Sequence, residues 1–396
     1  MRILLISRCP PYPLHLGDRL IVYHLARELR SRGHEIDLLA FAPDGISADE
    51  QVHYAAFFRS MTFLPEPARP QSDYLFRLLN VQARFAHSAD QSWSPAMWNA
   101  IRDHIRTNRY DVAHLFGGIQ VYEYAPALGD LPAMITPYES YTLYLKRAKV
   151  AAPSLQKRFA LEIQRRIARA FESFMFTPYP VTTVVAAPDR DMLKSINPRL
   201  RVEVIPNGVD TNTFSPDNTP RVKNRLVFTG NFEYPPNVDA ALRLAQNILP
   251  KLKHSVSVTL VGNAPPPELL ALKQGHIDVT GRVPDLRPYL RGASVYVSAL
   301  RMGAGIKNKI LEALAVGVPV VATRISVDGI FAKHGEHLLI ADSDDEIAAG
   351  VDRLLADSDL RERLSANGSA LVRTRYSWAQ TAEQVERLYH EVGKQG

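Results

Sequence analysis

The residues from Arg301 to Thr323, RMGAGIKNKILEALAVGVPVVAT, bring together groups suited to holding a diphosphate and a sugar hydroxyl. Gly303, Ala304 and Gly305 make a small-residue turn whose backbone N–H groups can approach an anion closely. Ile306 and Lys307 lead from it into a helix whose N-terminus favours negative charge. Arg301, Lys307 and Lys309 add full positive charges around the same point. Glu312 is a lone acid in an apolar run; helical side chains lean toward the N-terminus, so it can reach back to accept hydrogen bonds from ribose hydroxyls. Gly317 and Pro319 end the helix before a Val-rich strand. The same spacing also permits a bland reading: a surface ion pair between Lys309 and Glu312, worth about 0.2–0.5 kcal/mol, beside an ordinary tight turn.

Such a loop needs a rigid frame, and the surrounding pattern supplies one. Short apolar runs alternate with helical patterns: RILLIS, EIDLLAF, YDVAHLF, PAMIT and VTTVVAA in the first half, then RLVFTG, VSVTLVG, IDVTGRV, VYVSAL, PVVAT and HLLIA from Arg225 onward. Val22, Leu25, Ala26 and Leu29 share one helical face between the first two runs, with Gly33 as the stop. Strand, helix, strand in this order predicts two parallel sheets covered on both faces. Asn237 reads as the cap of a helix after RLVFTG. VIPNGVDTNTFSPDNTP is a hinge-like linker. Four segments follow: 1–204, linker 205–220, 221–375, and an amphipathic helix over 376–396 opened by a Ser377/Gln380 capping box. That last helix has no following strand and is expected to return to the first domain. Ligands of open parallel sheets sit beyond the carboxyl ends of the strands, where VYVSAL delivers the Arg301 loop.

Composition narrows the function classes. The chain has 396 residues, 46% hydrophobic, and exceeds one compact core. A net charge of +6 suits phosphate-bearing ligands or an anionic membrane face. Aromatics do not interleave with bases as in a nucleic-acid module, so no nucleic-acid partner is expected. The single cysteine, Cys9, leaves no internal disulfide. No apolar run reaches the span of about 18 residues of a membrane helix, and MRILLIS opens a strand rather than a charged leader, so a cytoplasmic protein is expected. Between Lys146 and Phe176, eight Lys or Arg face two Glu, with Phe159, Leu161, Ile167, Phe171 and Phe174 interleaved. This segment reads either as an interfacial helix on anionic lipid at the inner face of the plasma membrane or as a solvated helix packed on its own domain. DSDDE, Asp342 to Glu346, is read as a helix cap through Ser343 or Asp344, not a metal site.

Several stretches in order, VIPNGVD, GRVPDLRPYLRGASVYVSAL, GAGIKNKILEALAVGVPVVAT and YSWAQTAEQVERLY, resemble the family-4 glycosyltransferases of the GT-B fold. PPYPLHLGDRLIVYHLARELRSRGHEI resembles that family's opening glycine loop and first helix. The nearest likeness is to bacterial sugar transferases associated with exopolysaccharide and exosortase systems. The resemblance implies two Rossmann-like domains facing a central cleft, and metal-independent transfer with retention from a nucleotide-diphosphate sugar, UDP-linked by preference. The acceptor is then a glycan or a lipid-linked sugar, and no cofactor is needed. It further implies that the loop Gly303–Lys307 takes the diphosphate, with Arg301 and Lys309 as helpers, and that Glu312 holds the ribose. Backbone around Arg282 and Val283 is implied to meet the base, and Gly17 with Asp18 the diphosphate and acceptor. The first glutamate of the family's pair falls at Ala304, and a family arginine falls at Asn231. His114 at a strand end, or Glu139 in TPYES, is the candidate for an acceptor-side catalytic role. Two other classes remain open on the residues alone: a sugar-nucleotide epimerase or phosphorylase on the same fold, and a non-catalytic nucleotide-sugar-binding subunit.

Overall fold

The computed structural model describes residues 1–14, 17–42 and 45–394. Of the expected opening glycine loop, His15 and Leu16 lie outside the described residues. The chain divides into one unit of Met1–Ile205 with Thr381–Gly396, and a second of Pro206–Gln380.

The first unit is built on seven parallel strands: β1 (Arg2–Ser7), β2 (Glu35–Phe41), β3 (Ser60–Leu64), β4 (Val112–Phe116), β5 (Ala133–Tyr138), β6 (Val181–Val184) and β7 (Val202–Val204). Their order is β3-β2-β1-β4-β5-β6-β7, so the direction of winding reverses between β1 and β4. The central strands are continuous apolar runs because helices bury both of their faces; Ile3 to Ile6 have no exposed surface. The predicted strands omit β3 and β7. Both are edges, one mixed in polarity and one only three residues long, and an edge needs no unbroken apolar run. Helix α1 (Gly17–Ser31) buries Val22, Leu25, Ala26 and Leu29, and Gly33 stops the chain at φ +89°, a conformation glycine adopts without strain. Between β5 and β6 the chain forms a helical pair, α2 (Tyr141–Ala151) and α3 (Leu155–Glu172).

The second unit repeats the plan with β8 (Arg225–Thr229), β9 (Ser257–Val261), β10 (Ile277–Val279), β11 (Val295–Ser298), β12 (Val320–Ala322) and β13 (Leu339–Ile340). The order is β10-β9-β8-β11-β12-β13, again all parallel, with the reversal between β8 and β11. Helices α4 (Pro235–Arg243), α5 (Asn308–Ala315) and α6 (Asp344–Ala356) cover it. Asn237 does not cap α4, contrary to expectation: the helix starts two residues earlier, at Pro235, whose fixed φ suits a first turn. Ser343 does cap α6, in a reciprocal box with Glu346. Asp344 and Asp345 pair with Arg243 and Lys251.

Helix α7 (Trp378–Gly393) starts from the Ser377/Gln380 box. Its residues from Thr381 onward belong to the first unit. There Glu386 binds the side chains of Arg32 and His34, and Tyr389 is fully buried.

Candidate active site

Open parallel sheets offer a crevice at the carboxyl edge where strand order reverses. In the second unit that point lies between β8 and β11, and the loops leaving these two strands are Gly230–Tyr234 and Ala299–Lys307. The β8 loop is set by close backbone approach. A Cβ on Gly262 would fall 1.6 Å from the Gly230 carbonyl oxygen, so only glycine lets the loop after β9 pass beneath it. Gly303 (φ +126°) and Gly305 (φ +66°) shape the second loop. Ala304 and Ile306 tuck inward, 5% and 8% exposed.

The charges are arranged differently from the expectation. Lys307 stands at the N-cap of α5, and its side chain does not project away from the loop. Its Nζ donates to the carbonyls of Ala304 at 2.5 Å and Gly305 at 2.6 Å, strapping the turn. Arg301 is paired with Asp239, which raises its pKa. Lys309 donates to Asn237 Oδ1 and its ammonium lies 4.8 Å from the centre of the Phe228 ring. Burial, reinforced by neighbouring Lys307 and opposed by Glu312, lowers the Lys309 ammonium to about 7. Asn237 Nδ2 in turn donates to the Asn231 carbonyl at 2.7 Å, so one amide joins the β8 loop to Lys309. No side chain caps the α5 N-terminus. Glu312, half-buried on that helix, is held up to about 7 by desolvation, with Lys309 pulling the other way. Its carboxylate has no hydrogen-bond partner among the described residues.

Side chains that sequence reasoning missed hold the β11 end in place. Arg243, 7% exposed, donates to the carbonyls of Ala299 at 3.1 Å and Asp342 at 2.6 Å and to Asp344 at 2.6 Å. Thr323 Oγ1 donates to the Leu300 carbonyl at 2.8 Å, and Ser326 bonds Ser298 and Thr323. Arg243 reads in sequence as one more basic helix residue, and nothing near it signals three partners 56, 99 and 101 positions away. Arg282 and Val283 follow β10 in an exposed to half-exposed loop, and Gly281 accepts from Gly262 N at 3.2 Å. That bond connects the loop to the same glycine crossing.

The first-unit candidates separate. Gly17 is exposed at the start of α1. Asp18 is engaged: burial would raise its pKa, but the ion pair with Arg8 outweighs this and lowers it. Cys9 Sγ donates to the same carboxylate at 3.4 Å, and burial with that negative neighbour pushes the thiol up to about 12. His114 does not suit the acceptor-side role expected of it. It lies within β4, 1% exposed, with Nδ1 2.8 Å from Tyr389 Oη and Nε2 2.7 Å from Thr136 Oγ1. Burial lowers it to about 3. A neutral imidazole with both nitrogens occupied and no route to solvent is a core group. Glu139 remains, half-buried directly after β5. The preceding Tyr138 has φ +70°. The chain beyond is pinned by two buried carboxylates: Ser140 N donates to Asp189 at 2.9 Å and Tyr141 N to Glu172 at 2.7 Å.

A cavity of about 610 Å³ in the second unit lies at the other end of α5, around Gly317, and includes Arg221 and Arg361 in its lining. Those guanidiniums donate to the carbonyls of Gly317, Leu354 and Leu355. They are therefore explained as caps of helix C-termini. Among the described residues no group of three or more His, Cys, Asp or Glu could hold a metal ion.

Comparison with known proteins gives the family and the fold. Residues 20–213 match the profile described as Glycosyltransferase Family 4, and residues 223–357 that of Glycosyl transferases group 1. Between them they span most of both units, and the chain belongs to the group 1/family 4 glycosyltransferases of GT-B fold. A phosphatidyl-myo-inositol mannosyltransferase of Mycobacterium leprae is 26% identical over 96% of this chain and 94% of its own. In fold, the chain is similar to sucrose-phosphate synthase from Thermosynechococcus elongatus (TM-score 0.73, 17% identity, 100% of both chains). It is also similar to Anabaena Alr3699/HepE in complex with UDP (TM-score 0.69, 14% identity, 99% of this chain and 100% of that one). The expected kinship with exopolysaccharide and exosortase transferases is corrected here, since relatives that align along nearly the whole chain are mannosyltransferases, that of M. leprae and an MMP alpha-(1->4)-mannosyltransferase of Mycolicibacterium hassiacum (24% identical, 95% of this chain and 94% of its own).

Proposed function

We propose that this glycosyltransferase moves a hexosyl group from a nucleotide-diphosphate donor, UDP-linked by preference, to a lipid-linked or glycan acceptor of the bacterial cell envelope, with retention of configuration and without a metal. The observation that carries the donor half is the glycine loop leading into the α5 N-terminus at the strand-order reversal, where no side-chain cap is made among the described residues, with a half-buried Glu312 one turn on whose carboxylate makes no hydrogen bond among them. In this reading the N–H groups of Gly303 to Lys307 bind the diphosphate. Lys307, Arg301 and Lys309 add charge around it, and Glu312 accepts from the ribose hydroxyls. The loop at Arg282 and Val283 meets the base. Lys307 keeps the turn in shape before the donor arrives, which is preorganisation.

Retention follows the usual proposal for this fold: the departing phosphate takes the acceptor proton on the face it leaves. The protein then has to orient the partners and stabilise the leaving diphosphate. The UDP complex of HepE supports UDP, and the lipid named in the mannosyltransferase of M. leprae supports a lipid-borne acceptor. No described helix is long and apolar enough to cross a membrane; we place the enzyme in the cytoplasm, peripheral on the inner face of the plasma membrane. Gly17 and Glu139 are assigned to the acceptor side. Transfer is tested by incubating nucleotide sugars with lipid-linked acceptors and reading the product anomer by proton NMR. A product with the donor's configuration is expected. An inverted product, or nucleotide binding without turnover of any donor, would contradict the proposal.

A further inference from the structure

The helical pair α2–α3 carries exposed apolar side chains at its turn. Val150 is 79% exposed, Leu155 80%, Phe159 69% and Ile163 45%. On α3 these belong to a row at four-residue spacing, Leu155, Phe159, Ile163, Ile167 and Phe171, which turns about 40° around the helix at each step and so passes from an exposed side near the turn to the buried side at Phe171. The row changes environment along its length. Phe171 is 2% exposed and packs at 5.3 Å from Phe174 and 5.8 Å from Tyr74 in the core of the first unit. Toward the turn the same row stands in water. Core packing therefore explains the inner half and leaves the outer half without a purpose.

The charged residues beside the outer half are almost all basic. Lys146, Lys157, Arg158, Arg166 and Arg169 are exposed. Of the two acids in this segment, Glu172 is buried as the acceptor for Tyr141 N, and Glu162 is shared among Lys149, Arg165 and Arg166. One half-buried acid against eight bases, five of them exposed, leaves a positive rim around a protruding apolar tip. A protein partner of matching shape would need an acidic collar around an apolar socket; an anionic bilayer offers negative headgroups over an apolar interior at every point of its surface.

We infer that the α2–α3 turn is the membrane-docking element, with Val150, Leu155, Phe159 and Ile163 entering the headgroup and acyl boundary of an anionic bilayer while the Lys and Arg rim binds its headgroups. This deepens the proposal of a lipid-linked acceptor and rests on it.

The test is co-sedimentation of the full chain with vesicles of phosphatidylglycerol and phosphatidylcholine, and with pure phosphatidylcholine vesicles, at low and at 0.5 M salt. Binding to the anionic vesicles is expected, weakened by salt and lost with pure phosphatidylcholine. The double substitution Leu155→Glu with Phe159→Glu should reduce it at least about tenfold, since each large apolar side chain withdrawn from lipid removes several buried carbons. Both sites are exposed, so the melting temperature and the nucleotide-induced shift of the double variant should match the parent chain. Lys157→Glu with Arg158→Glu should also lose binding and, unlike the apolar variant, alter the salt dependence. Failure of the parent chain to bind anionic vesicles, equal binding by the apolar variant, or a dimer that the apolar variant dissolves would overturn the inference. Nucleotide binding without vesicles reads the transferase assignment separately, so a loss of one does not stand for a loss of the other.

Discussion

Glu312 and His114 show how the same kind of signal, a lone titratable residue in an apolar element, has two physical meanings. Glu312 has no hydrogen-bond partner among the described residues, and burial raises its pKa to about 7 against Lys309. Its folded form holds a proton more tightly than the unfolded chain. Its contribution to stability is therefore complete below the ordinary value of 4.5 and is lost as pH rises through about 7. A ribose needs the ionised form as acceptor, so the share of nucleotide affinity that Glu312 supplies, read as the difference between the parent chain and a Glu312 variant, should rise from pH 6 to pH 8, while Lys309, lowered to about 7, loses charge over the same range in both chains. Glu312→Gln should weaken binding at pH 8 about tenfold, as expected for losing a charged acceptor, and by less at pH 6; calorimetric titration at both pH values checks this. For His114 the sign is opposite. Its neutral form is favoured in the fold, so its contribution is complete above 6.5 and is lost as pH falls toward about 3. His114→Asn should lower the melting temperature at pH 8, reduce the difference in melting between pH 8 and pH 5, and leave the transfer rate within about threefold, the substitution touching no reacting group. A hundredfold loss of rate at unchanged melting would restore the catalytic role.

At the scale of elements, the donor loop depends on groups that lie outside it. Arg243 fastens the carbonyl end of β11 to the start of α6 through Ala299, Asp342 and Asp344. Arg243→Ala leaves buried acceptors unpaired and should cost about 2–4 kcal/mol. That loss is readable as a lower urea midpoint, with nucleotide affinity falling beside it; an unchanged midpoint would remove Arg243 from this role. What the sequence made legible follows the same division. Central strands such as ILLI and VYVS announce themselves because both faces are apolar. The edges β3 and β7 do not, since an edge tolerates Ser60 or Glu203. The turn at Gly303 and Gly305 was readable because glycine and backbone geometry are local. The destination of Lys307 was not, because a lysine before a helix looks the same whether it reaches outward or folds back on Ala304 and Gly305. His114 was misread for a related reason: its partner Tyr389 is 275 residues away.

At the scale of the whole molecule, the last helix completes the first unit. Residues from Thr381 onward supply Tyr389 to His114 and Glu386 to Arg32 and His34, along with buried Ala382, Val385 and Val392. Ending the chain after Gln380 should uncover this core and make the first unit susceptible to limited proteolysis under conditions where the full chain resists. Equal resistance would show that α7 adds nothing to the fold of that unit.

The central claim is that the segment from Gly303 to Glu312 holds the nucleotide-diphosphate part of a sugar donor. The most direct measurement is a thermal-shift series with UDP, GDP, ADP and the matching sugar conjugates, run on the parent chain and on Glu312→Ala. A ligand bound only by the folded state adds about 2.7 kcal/mol at a hundredfold excess over Kd. One nucleotide, UDP by preference, is expected to raise the melting temperature clearly, with a smaller rise in the Glu312→Ala chain, each chain read against its own ligand-free melting temperature. No shift with any nucleotide, or shifts identical in the two chains, would contradict the account.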